Sequence, residues 1–141
     1  MHITFALFAV AANLSQEGKL NILGVFDAVQ VGQLPTVHRN ASLVMRLKGT
    51  SEDAGPHTVT LRWVGPDGGE RWNSQGELRV EVPVQTTGEM DLPLIANIDL
   101  PMDQPGAYAM HIALDDRPSA TVPLHVRAAM PPFTPPGGLL S

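Results

Sequence analysis

Imidazole is a common metal ligand and the usual acid–base group near neutral pH, so the histidines come first. The chain has five: His2, His38, His57, His111 and His125. No two stand at the i, i+4 spacing that aims two rings from one helix face, and no H-x-H pair occurs. His111 and His125 fall on the polar faces of adjacent strand patterns. Both are expected to face solvent, and as neighbours across a ladder they would offer a weak metal contact at most. Zinc takes three or four ligands, so no metal and no other cofactor is expected.

Carboxylates collect beside turn signals at Glu52 and Asp53, Asp67, Glu89 and Asp91, Asp103, and Asp115 and Asp116. Calcium sites need several oxygens gathered together. Here they come singly or in pairs, never as D-x-D-x-D-G, and the preference of turns for Asp accounts for them. Cysteine is absent, which removes disulfides, thiolate metal sites and thiol nucleophiles together and fits a reducing cytoplasm. No phosphate-cradling glycine loop, H-E-x-x-H or G-x-S-x-G is present. The expectation is a protein that is not an enzyme, with no catalytic residue assigned. Trp63 and Trp72 bracket the turn Gly65-Pro66-Asp67-Gly68-Gly69. Trp63 sits in an inward register, whereas Trp72 is expected to be partly exposed and is a candidate partner contact.

The elements that would position these residues are strands. With 141 residues, 43% apolar and 16% charged, the chain is read as one folded domain. Leu43, Met45 and Leu47 alternate with polar neighbours, as do Val59, Leu61 and Trp63, and Leu78, Val80 and Val82. Tyr108, Met110, Ile112 and Leu114 form another such face, and Ala120, Val122, Leu124 and Val126 a further one. Period two marks half-buried strands whose apolar faces need a second layer. Turn signals separate the runs at Glu17-Gly18, Gly65 to Gly69, Gln104-Pro105-Gly106 and Asp115 to Pro118. The fold class expected is all-β: a two-layer antiparallel β-sandwich, immunoglobulin-like, of seven to nine strands. Pro83, Pro93 and Pro123 mark edges, ends or bulges.

Ile3 to Ala12 is an apolar run with Thr4 its one polar residue, too short to span a membrane and preceded by no Lys or Arg. It is read as a first strand buried on both faces, with Ile3, Phe5 and Leu7 on one and Phe8 and Val10 on the other. Lys19 to Phe26 reads as a central strand that pairs with it as a hairpin. Gly24 inside it marks a bulge or a close backbone approach. The sandwich is assigned to residues 1–127 and a Pro/Gly-rich tail to 128–141. Within the tail Met130, Phe133, Leu139 and Leu140 are apolar and are candidate contacts, docking back or engaging a partner.

Phe5-Ala6-Leu7 and Glu17-Gly18-Lys19-Leu20-Asn21-Ile22-Leu23-Gly24-Val25-Phe26, with Leu34-Pro35-Thr36-Val37-His38, carry a resemblance. The chain resembles an uncharacterised bacterial family, a domain of unknown function, of small β-sandwich proteins with a D/E-G-K-L-N-I-x-G-x-F segment. The resemblance runs through Pro66-Asp67-Gly68 and Pro105-Gly106-Ala107-Tyr108, covering most of residues 3 to 127. It implies a cytoplasmic bacterial sandwich and supplies no activity, substrate or catalytic residue.

The leading functional expectation is a binding or scaffold module that acts through a sandwich face, an edge strand or the tail. Its partner is a protein or a second copy of the chain. Net charge of −5 with nine scattered basic residues leaves no footprint for nucleic acid or a membrane surface. The alternatives are a metal-binding protein or enzyme built from loop His and Asp residues, and a secreted adhesin or carbohydrate-binding domain.

Overall fold

A computed structural model of the chain describes residues 1–83 and 87–129. Its strands are β1 (His2–Leu14), β2 (Leu20–Phe26), β3 (Ala28–Val31), β4 (Thr36–Gly49), β5 (Gly55–Val64), β6 (Glu70–Val80), β7 (Met90–Met102), β8 (Gly106–Leu114) and β9 (Arg117–Ala128). One sheet runs β2-β1-β4-β7 and the other β3-β9-β8-β5-β6. All pairs are antiparallel except β3 with β9.

The alternating sets read from the sequence meet between the sheets. Leu43, Met45 and Leu47 of β4 and Leu100 and Met102 of β7 form one wall. Trp63 of β5, Tyr108, Met110 and Ile112 of β8, and Val122, Leu124 and Val126 of β9 form the other. None of these is more than 4% exposed, and burying each large side chain contributes about 1.5–3 kcal/mol. Trp63 stacks on Tyr108 with ring centroids 5.2 Å apart and donates its indole N–H to the Pro101 carbonyl at 2.9 Å. The Tyr108 hydroxyl accepts from the backbone N–H groups of Asp103 (3.0 Å) and Gln104 (3.1 Å) and donates to Asp103 Oδ1 at 2.8 Å. A buried tryptophan facing a tyrosine corner, set between two sheets joined by crossovers, defines a sandwich of the immunoglobulin type.

Two strand readings are corrected. In β1 the pairing with β4 passes from Ile3↔Leu47 to Phe5↔Arg46, so Thr4 is an extra residue. One inserted residue reverses the alternation. Ile3, Ala6 and Phe8 therefore pack on the core, while Phe5 and Leu7 belong to the outer face. The expected grouping of Ile3 with Phe5 and Leu7 fails for that reason. The run expected at Leu78 to Val82 is the end of a longer strand, β6, which stops at Val80 short of Pro83. Pro93 lies on the end strand β7, and Pro123 on the stretch of β9 that β3 leaves unpaired.

Candidate functional site

β1 and β2 form the expected hairpin, from Phe8↔Phe26 to Leu14↔Leu20, closed by a bond from Ser15 N–H to the Lys19 carbonyl (2.8 Å). β1 pairs with β4 only from His2 to Ala9. Beyond Ala9 the two strands have no third strand beside them among the described residues. β4 turns away there through a register shift between His38 and Ala41, with Asn40 at φ +59°. The Asn40 N–H is held by Asp99 Oδ1 at 2.8 Å, which fixes the bend. At the hairpin root Phe26 stacks on Phe8 (6.0 Å) and lies against His38 (5.3 Å).

The hairpin overhangs the outer face of its own sheet. Glu17, Gly18, Lys19, Leu20 and Ile22 share a groove of about 750 Å³ with Phe5, Arg46, Asp91 and Pro93. Gly24 adopts φ +70°, and a Cβ there would lie 2.8 Å from Val10 Cγ2. The close approach read from the sequence is therefore made by Val10. The other expectation for this segment, a central strand with apolar residues buried on both faces, is overturned. β2 is an end strand, with Leu23 70% and Val25 61% exposed, and Val10 is 64% exposed across from it. An apolar run reads the same whether neighbours or solvent will cover it, so no residue pattern signals this exposure.

Trp72 is paired with Trp63 across the β5–β6 ladder and packs on the core from its side. Its indole Nε1 is buried and has no acceptor. It is partly exposed, as expected, with one side of the ring packed on the core. Beside it Arg71 lies over Gly65, bonded to Asp67 Oδ1 (3.0 Å), Asp103 Oδ1 (3.1 Å) and the Gly69 carbonyl (3.0 Å). These two carboxylates hold the Arg71 pKa above its ordinary value, Asp67 most strongly. A cavity of about 370 Å³ opens next to Arg71 between Pro35, Val37, Pro101 and Met102. Asp67 and Asp103 balance the guanidinium charge, and its Nη2 is buried with no partner. Met130, Phe133, Leu139 and Leu140 lie outside the described residues.

The histidines do not converge. His111 pairs with Thr121 and His125 with Ala107, four residues apart on the β8–β9 ladder. That is about 13 Å, too far to share an ion. The contact weighed for them is absent, and His111 is half-buried. Among the described residues no three His, Asp or Glu side chains are placed to hold a metal. The turn carboxylates are instead spent on neighbours: Asp91 on Arg46 and Lys48, Asp53 on the Thr50 N–H, Asp115 on His57 and the Thr58 N–H.

His57 is the one imidazole in a built environment. Its Nδ1 lies 2.6 Å from Asp115 Oδ2 and its Nε2 2.5 Å from the Asp53 carbonyl oxygen. Only the imidazolium donates from both nitrogens. Its pKa is accordingly raised above 6.5, first by Asp115 and then by the Asp53 carbonyl. Asp115 is lowered chiefly by His57. A ring with both nitrogens occupied has no lone pair to take a proton from a nucleophile. The pair clasps β5 to the β8–β9 turn.

The fold thus belongs to the immunoglobulin-type sandwiches. The profile of a family of unknown function, DUF6941, matches residues 4–127, and the chain belongs to that family. No curated protein matches it. The chain is similar to a solved immunoglobulin-like protein from Pseudomonas aeruginosa at 15% identity, with 89% of this chain and 95% of that one covered and a TM-score of 0.38.

Proposed function

We propose that the chain is a non-enzymatic binding module whose contact surface is the β1–β2 hairpin. One observation carries this reading. Of the large hydrophobic side chains exposed among the described residues, Val10, Leu14, Leu23 and Val25 all sit on this hairpin, and Val37 alone does not. Single exposed apolar residues are ordinary. Here Leu23 and Val25 share one face of the hairpin and Val10 and Leu14 the other, so the element is left apolar and uncovered on both sides. The partner is a protein, since Lys19 is the only cation from Val10 to Val25 and the whole chain carries −5. The engagement of both His57 nitrogens supports the non-enzymatic part. A bacterial cytoplasmic setting accords with the cysteine-free composition. No helix among the described residues is long and apolar enough to cross a membrane.

The test compares baits in a binding assay. Leu23→Asp with Val25→Asp places charge on the patch, and Gln75→Asp on β6 is the control. Proteins retained by the wild type and the control, and lost from the double variant, support the reading. Equal retention by all three contradicts it.

A further inference from the structure

We infer that the partner of the hairpin is a second copy of this chain, joined antiparallel through the open edges of two β2 strands about Leu23. The inference rests on the hairpin reading above and names its partner. β2 is the end of its sheet, with β1 on one edge and no strand on the other among the described residues. The other end strands carry protection against such pairing. β3 has four residues, β6 holds Glu70, Arg71, Glu77 and Arg79, and β7 holds Asp91, Asp99 and two prolines. The seven residues of β2, LNILGVF, hold no charge and no proline.

Charge complementarity fixes the register. Two identical antiparallel strands about a two-fold axis form an isologous contact, in which the pairing of residue i with j is repeated as j with i. Centred on Leu23, Asn21 meets the partner's Val25, Ile22 meets the partner's Gly24, and Lys19 meets the partner's Asp27. Lys19 and Asp27 are the nearest charges on either side of the apolar segment. Both are exposed, and each stands four residues from Leu23, just beyond an end of the strand. Moving the centre one residue either way sets Lys19 against an apolar residue and separates the charges. Lys19 at present contacts Glu17 at 3.3 Å, with both side chains more than three-quarters exposed. Such a pair is weak and gives way readily. The assembly joins two four-stranded sheets into one of eight and covers Leu23 and Val25 of both copies.

The experiment uses the full chain in sedimentation velocity across a concentration series. Wild type should dimerise; Lys19→Asp and Asp27→Lys should each weaken the dimer by about tenfold, because like charges then face each other twice. The double swap should restore it. The absence of cysteine supplies a second readout. Residue 23 meets its own copy on the axis at a Cα separation of about 4.5–5.5 Å, within disulfide reach. Leu23→Cys should oxidise to a covalent dimer far faster than Gln75→Cys. A monomeric wild type with Leu23→Cys no faster than the control overturns the inference, as does a dimer indifferent to the charge swaps. If the chain is monomeric yet Leu23→Asp/Val25→Asp loses a different bound protein, self-pairing falls and the hairpin reading stands. If that variant loses nothing either, both fall.

Discussion

Replacing Gly24 with alanine probes the hairpin where its geometry is most exacting. The residue holds φ +70°, and a Cβ would sit 2.8 Å from Val10 Cγ2 and 3.1 Å from Val10 Cβ. An L-residue in the left-handed region costs about 1–2 kcal/mol. Relieving the contact requires Val10 to leave its rotamer, at about 0.5–1 kcal/mol, which its 64% exposure permits. The sum is about 2 kcal/mol. Val10→Ala alone should stay within about 0.5 kcal/mol, because the side chain is mostly in water. The double variant Val10→Ala/Gly24→Ala removes the Cγ2 contact but keeps the Cβ approach and the backbone strain, so it should retain about 1–2 kcal/mol of the loss. Urea unfolding followed by the fluorescence of buried Trp63 reads the global cost. Amide hydrogen exchange over residues 10–25 reads local opening. A Gly24→Ala chain within about 0.3 kcal/mol of wild type, with exchange unchanged, would refute the left-handed turn and the close approach together.

Three further outcomes follow from the same geometry. Tyr108→Phe deprives two backbone N–H groups of their acceptor and should cost about 2 kcal/mol in urea unfolding; a cost under about 0.5 kcal/mol would show that water replaces the corner without loss. The His57–Asp115 clasp should make stability depend on pH in a defined direction. The folded pKa of His57 is raised above its ordinary 6.5, so its stabilisation is complete below that value and lost as pH rises through the folded pKa. The gap in urea midpoint between wild type and Asp115→Asn should therefore be widest in mild acid and close on the alkaline side. A gap that widens with pH contradicts the clasp. By NMR the His57 ring should titrate above 6.5, and a lower value would mean that one nitrogen is unbonded.

Much of the fold was legible because burial between two sheets imposes period two. Leu43, Met45, Leu47, Trp63 and the β8 and β9 sets announced their inward faces by alternation alone. The β1 bulge was not legible. Thr4 is one residue inside an apolar run, and nothing in residue type marks an insertion that reverses the faces of Phe5 and Leu7. Trp63 could be placed, while its stacking on Tyr108 joins β5 to β8 and depends on tertiary register. The clasp was out of reach for a similar reason: His57 and Asp115 are 58 residues apart and meet only through the β5–β8 pairing. The candidate site was half legible. Gly24 and the hairpin pairing were readable, but the apolar residues of β2 were assigned to burial. The bend at Asn40 that leaves the hairpin without a third strand lies on another element, β4.

The most direct measurement of the central claim is photo-crosslinking in living cells that express the full chain. A photoreactive amino acid is placed at Leu23 in one variant and at Gln75, equally a strand-edge position, in the other. Discrete adducts from position 23, with none from position 75, are the predicted result. No adduct at 23, or the same adducts from both positions, would contradict the assignment of the β1–β2 hairpin as the contact surface.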